Sequence, residues 1–279
     1  MLIGVKCSES EENKSFSECH QCALTGKNKC NFNDTMILGM ERAVQNRTGI
    51  SATNLLGCLR SVYLQRIYDY YSPLENLWWS FRGQMFHLIA EKGKNKDTIV
   101  EVRFEKKING VLITGQIDVL RPLIKRIEDY KTVAEVPAYN YPFKKHTAQV
   151  NIYRYLCYDK YPTDELAIYY MSMKSVKRLF AKVWSLEETE NYIKKPLEIL
   201  NNAFSNGIVP EMGCLDVENS WQRSYCPVVD VCEKLREKEL TEKITKELML
   251  KIGTKSLNKE VNKVVKEESE KFNKDFKLE

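Results

Sequence analysis

Between Ser51 and Tyr71 apolar residues recur at three- and four-residue steps, at Leu55, Cys58, Leu59 and Val62, and Arg66 continues the row. That spacing predicts an amphipathic helix, N-capped by Ser51 and ended by Pro73. A second helix is expected from Leu74 to Lys92, with Gly93 as its C-cap. From Thr98 the period falls to two. TIVEVRFEKKI and VLITGQIDVLR flank Asn109-Gly110, the strongest short hairpin signal in the chain. A third strand follows at Ile124 to Thr132, then a loop with Pro137 and Pro142, a helix from Lys145 to Tyr158, and two strands in ELAIYYMSM and VKRLFAKVW. A helix from Leu186 to Phe204 precedes a cysteine-bearing loop. Beyond Cys232, Lys and Glu with spaced Leu, Ile and Val read as one or two amphipathic helices, either a solvated extension or a partner-binding one.

Residues 1 to about 35 follow neither period. They are short of aliphatics and rich in Cys, Ser, Glu, Asn and Lys, so they cannot form a core alone and something else must order them. The chain thus divides into a Cys-rich N-terminal segment (1–48), an α/β domain with a late Cys group (49–235) and a charged helical tail (236–279). Hydrophobic residues at 43% and charged residues at 29% exclude a collagen, a wholly disordered chain and a multi-span membrane protein. The opening MLIGVKCSESEENK lacks the basic start and apolar stretch of a secretory signal, so a cytoplasmic location is expected. In that compartment nine cysteines point to metal ligation rather than to disulfides. The net charge of +5 fits an anionic partner without requiring one.

The candidate chemistry lies in the hairpin and the strand after it. Asp118 stands in GQID near the end of the second strand, and Asp129-Tyr130-Lys131 on the third. Alternation sends Asp129 and Lys131 to one side and Glu128 and Tyr130 to the other. Two aspartates suit magnesium or manganese, which prefer carboxylate and water oxygens. A lysine beside them orients a water or stabilises charge developing on phosphorus. An isolated D-x-K is otherwise an ordinary surface ion pair. His87, in an otherwise apolar helix, is a core histidine or a ligand, and Gln149 and Tyr153, four apart, share a helix face. Glu101 on the first strand either joins this group or faces solvent.

Taken in order, GQMFH (83–87), GQID (115–118), DYK (129–131) and QVNIY (149–153) resemble the RecB-like branch of the PD-(D/E)XK nuclease superfamily, over residues 50 to 235. The resemblance implies an α/β core with a mixed central sheet flanked by helices. It implies a metal site of His87, Asp118, Asp129 and the backbone carbonyl of Tyr130, with Lys131 assisting the attacking water. Gln149 and Tyr153 would position the motif or contact the DNA backbone. The implied activity is metal-dependent DNA hydrolysis, as an exonuclease on single strands or DNA ends. Recombination, repair, phage DNA processing or CRISPR spacer acquisition are the implied settings, with a protein partner in a recombination or CRISPR adaptation complex. A structure-specific endonuclease, a nucleic-acid-binding subunit with little cleavage and an interaction scaffold organised by the cysteines are the alternatives.

Cys58, Cys214, Cys226 and Cys232 are similar to the ligand set of iron–sulfur nucleases of the AddB and Cas-four types, which implies a [4Fe-4S] cluster; zinc is the other reading. Arg223 stands where that pattern has a cysteine, and Cys214 takes its place from nine residues earlier. Cys157 reads as a small buried hydrophobe. Cys7, Cys19, Cys22 and Cys30 make either a structural zinc site or a set of free thiols. Arg121, Lys125, Arg126, Lys144, Lys145, His146, Lys174, Lys177 and Arg178, interleaved with Tyr139, Tyr141, Phe143 and Tyr153, form the expected nucleic-acid surface. No base-reading element is visible, so little sequence specificity is expected.

Overall fold

The computed structural model describes residues 1–26, 29–43, 49–215, 222–252, 263 and 265–267. At the N-terminus β1 (Leu2–Lys6) pairs antiparallel with β2 (Asn13–Ser15), and α1 (Phe16–Leu24) and α2 (Asp34–Ala43) follow. Ser15 opens α1 with a capping box: its hydroxyl accepts from the Glu18 N–H, and the Glu18 carboxylate accepts from the Ser15 N–H. Val5, Phe16, Ile37 and Met40 are buried together with Leu74, and Phe32, Trp78 and Phe81 close over them. The segment is therefore ordered by apolar packing on later parts of the chain.

The helix expected from Ser51 is shorter. Ile50–Ser51 forms β3, a 3-10 turn spans Asn54–Leu56, and α3 runs only over Leu59–Ile67. Gly57 is extended (φ −106°, ψ −169°), which breaks the helical row, and Ser51, in β3 rather than at a helix N-cap, accepts from the Asn54 N–H. Cys58 consequently sits at the N-cap of α3 rather than inside a helix. Residues Tyr70–Pro73 form β4, which pairs parallel with β1, before α4 covers Leu74–Lys92.

The hairpin forms as its turn chemistry requires. β5 (Ile99–Ile108) and β6 (Val111–Arg121) pair antiparallel along their length, with φ 49° at Asn109 and 82° at Gly110. β7 (Arg126–Thr132) returns antiparallel to the end of β6. α5 (Lys144–Cys157) then crosses over so that β8 (Glu165–Met171) lies parallel to β7, and β9 (Val176–Phe180) closes the edge antiparallel to β8. The six-stranded mixed sheet runs β3-β6-β7-β8-β9, with β5 on β6. α6 (Leu186–Asn206) packs on α5 and α3, and α7 (Val229–Ile252) packs on α3. The expected tail beyond 252 falls outside the described residues, apart from 263 and 265–267.

The core lies between this sheet and its helices, built from Ile113, Ile117, Leu120, Ile127, Leu166 and Ile168 with Val150, Ile152 and Leu156 of α5. Gly115 permits the approach of α5: a Cβ there would stand 2.8 Å from Leu156 Cδ1 and 2.9 Å from Tyr153 Cδ1. No described helix is long and apolar enough to cross a membrane.

Candidate active site

Four elements deliver side chains to one cleft of 490 Å³: α4 contributes His87, β5 Glu101, β6 Asp118, and β7 both Asp129 and Lys131. His87 Nδ1 is 2.8 Å from Glu101 Oε1 and 3.3 Å from Asp118 Oδ1. The other Asp118 oxygen accepts from the Tyr130 N–H at 2.7 Å, which fixes the carboxylate against β7. Asp118, then Glu101, raises His87 to about 10, because two acceptors favour the imidazolium. Metal ligation needs the neutral ring, so a cation bound here displaces that proton.

Glu101 is the ligand candidate that strand periodicity leaves undecided. It shares its phase with Arg103, Glu105 and Lys107, all exposed, yet its own side chain is 15% exposed. The cause is local: Glu101 adopts φ 51° in mid-strand, outside the extended region, and its carboxylate also accepts from Gln116. Alternation carries no signal for such a break.

Asp129 is 1% exposed, and its Oδ2 meets the Lys131 ammonium at 2.7 Å. Beyond this ion pair neither oxygen accepts a well-formed hydrogen bond, and burial raises the carboxyl above the ordinary carboxylate range. A buried carboxylate with open lone pairs, facing a cleft with an imidazole and two more carboxylates, fits a hard divalent cation. Among the described residues, His87, Glu101 and Asp118 form the group of potential ligand atoms within 4.8 Å of one another. Asp129 borders the same cleft, bound to Lys131. Glu128 lies on the opposite side, where it accepts from Arg121, as alternation predicts.

Gln149 Nε2 donates to the Tyr153 hydroxyl at 2.6 Å, and both line the cleft from α5. The family model described as the PD-(D/E)XK nuclease superfamily matches residues 40–233. The chain belongs to this superfamily. No curated protein matches it. The crystal structure of SSO0001 is similar in fold, with TM-score 0.51 and 18% identity over 71% of this chain and 93% of that one. A phage related exonuclease from Haemophilus somnus 129PT aligns over 54% of this chain and 91% of its own, with 11% identity and TM-score 0.38.

Two further groups of cysteines border hollows of this nuclease-superfamily chain. Cys58, Cys214, Cys226 and Cys232 line one of 260 Å³. Hydrogen bonding from Cys214 holds the Cys58 thiol down to about 5, while Cys214 is pushed up. Arg223 is engaged elsewhere, donating to Glu233 on α7. Cys7, Cys19, Cys22 and Cys30 border a hollow of 960 Å³, and no three of them bring ligand atoms within 4.8 Å. Tetrahedral zinc, with Zn–S of about 2.3 Å, needs sulfurs about 3.8 Å apart. Apolar packing orders this segment, and its four thiols gather around one hollow without reaching that spacing.

The expected basic surface is also smaller. Arg121 pairs with Glu128, Arg126 with Glu165 and Lys125 with Asp164, so these cations are already matched. Tyr153 is buried and unable to stack on a base, whereas Tyr141 and Phe143 are exposed.

Proposed function

We propose that the protein is a divalent-metal-dependent deoxyribonuclease of the RecB-like, iron–sulfur type, acting on single strands or DNA ends with little sequence specificity. The observation that carries this reading is the convergence of His87, Glu101 and Asp118 in one cleft with the Asp129–Lys131 pair. Magnesium or manganese held by these carboxylates and the imidazole would polarise the phosphodiester and make water a better nucleophile. The chain's own groups do the rest. The Lys131 ammonium orients the water and offsets negative charge growing on the phosphoryl oxygens. Water oxygen bonds to phosphorus and gives up a proton to solvent as the phosphorus–oxygen bond to one fragment breaks; that fragment's oxygen takes up a proton and leaves as an alcohol, and the other fragment keeps the phosphate. Gln149 and Tyr153, bonded to each other, set the cleft wall beside Lys131.

The same reading assigns a [4Fe-4S] cluster to Cys58, Cys214, Cys226 and Cys232. Four thiols from the start of α3, the loop after α6 and the start of α7 face one hollow, and the residue that replaces the expected cysteine is held by Glu233. Such a cluster would tie the C-terminal segment to α3. Anaerobically purified protein is then brown and carries roughly four irons and four acid-labile sulfides per chain.

The nuclease reading is tested with labelled single- and double-stranded DNA, with and without manganese. Cutting is expected with manganese alone, and Lys131→Ala is expected to lower it on the order of a hundredfold or more while the strand is still bound. Equal cutting by Lys131→Ala would remove the mechanism.

A further inference from the structure

The loop that leaves β7 directly after the Asp129–Lys131 motif carries an aromatic array. Tyr139 and Tyr141 stack with ring centroids 4.6 Å apart and planes 15° apart. Phe143 meets Tyr139 edge-on at 5.6 Å and Tyr170 at 5.7 Å. Tyr170 is the register partner of Lys131 on the neighbouring strand, so the array begins one strand away from the cleft lysine and runs outward to solvent. Tyr141, at its outer end, is 66% exposed.

The array is held in place by polar contacts. The Lys177 ammonium on β9 donates to three successive loop carbonyls, Pro137 at 2.9 Å, Ala138 at 3.2 Å and Tyr139 at 2.8 Å. The Tyr170 hydroxyl accepts from the Phe143 N–H at 3.1 Å and contacts His146 Nδ1 at 2.9 Å. Two large rings kept parallel, one of them mostly in water, leave an apolar face that the fold itself does not cover. Lys144 and Lys145 follow Phe143 directly, in the first turn of α5.

We infer that Tyr139 and Tyr141 form a stacking platform for the unpaired bases of a nucleic-acid strand whose backbone enters the cleft at Lys131. A base laid on Tyr141 extends a stack that already exists, and the strand then runs toward the cleft at Lys131. The faces of paired bases inside a duplex are covered by their neighbours, so the platform selects single strands or frayed ends without reading sequence. This inference rests on the nuclease reading for its direction, but binding alone tests it.

The test is fluorescence anisotropy of a short labelled oligothymidylate in chelator, where nothing is cut, against a strand of equal length with abasic sites. The wild-type protein is expected to bind the thymidylate about tenfold more tightly than the abasic strand. Tyr141→Ala is expected to bind both alike, and Tyr141→Phe to restore the preference. Wild-type protein that binds the two strands equally, or Tyr141→Ala that keeps the preference, overturns the platform and leaves the rings as a surface for a protein partner. Absence of manganese-dependent cutting, with the base preference intact, would instead count against the nuclease reading and leave the platform standing.

Discussion

Glu101 Oε1 lies 2.8 Å from His87 Nδ1, a contact between a strand and a helix that the φ of 51° at Glu101 makes geometrically available. A non-glycine residue held there costs on the order of 1–3 kcal/mol, and it persists because the side chain is engaged on both oxygens, by His87 and by Gln116. Glu101→Gln is expected to weaken manganese binding about 10- to 100-fold, measured by titrating cleavage against manganese. Glu101→Gly relieves the backbone but loses both contacts that offset the strain, so it should weaken metal binding without raising the melting temperature. Unchanged manganese dependence in both variants would take Glu101 out of the ligand set.

The buried pair of Asp129 and Lys131 makes stability depend on metal. Lys131→Met leaves the Asp129 carboxylate without its counter-charge, at a cost of about 3 kcal/mol. In chelator the variant should melt well below the wild type, and manganese should recover part of the difference by binding the folded state. A melting temperature equal to wild type in chelator would show that the pair has no such weight.

His146 confers acid sensitivity. Burial, then the Lys131 and Lys145 ammoniums, push it from 6.5 down to about 3. The folded pKa is depressed, so between about 6.5 and about 3 the unfolded chain binds the proton more readily. This contribution to stability is fully present above the unfolded value and declines as pH falls, by about 1.4 kcal/mol per pH unit at most. His146→Gln should flatten the stability profile in that window, as measured by urea unfolding across pH. A profile of identical slope would show that His146 titrates normally.

Two glycines of the family motifs should respond oppositely to alanine. At Gly115 a Cβ would crowd Tyr153 and Leu156, so Gly115→Ala is expected to cost about 1–3 kcal/mol and to reduce cutting by shifting α5. At Gly83, inside α4, the nearest atom to a Cβ would be Thr132 Oγ1 at 3.9 Å. Gly83→Ala should stabilise the protein by about 0.5–1 kcal/mol. Thermal melts of the two variants decide both statements.

Much of the fold was legible because its elements are local. Asn109-Gly110 dictates the hairpin, and α4, α5 and α6 follow from apolar periodicity and caps within a few residues of the observed ends. Where Gly57 interrupts the row from Ser51, periodicity alone overran the break. The N-terminal segment looked coreless because its partners, Leu74, Trp78 and Phe81, lie far along the chain.

The order of residue types by itself determined the superfamily pattern and the placement of Asp118, Asp129 and Lys131 at neighbouring strand ends. Those depend on spacing along one backbone, which alternation and helical pitch convert directly into direction. Tertiary structure alone decided that Glu101 turns inward, that Arg121, Lys125 and Arg126 are matched by acids, that Cys58 meets the late cysteines at one hollow and that Tyr139 stacks on Tyr141. Each of these depends on a single backbone angle or on a partner brought close by the sheet, and neither leaves a period in the sequence.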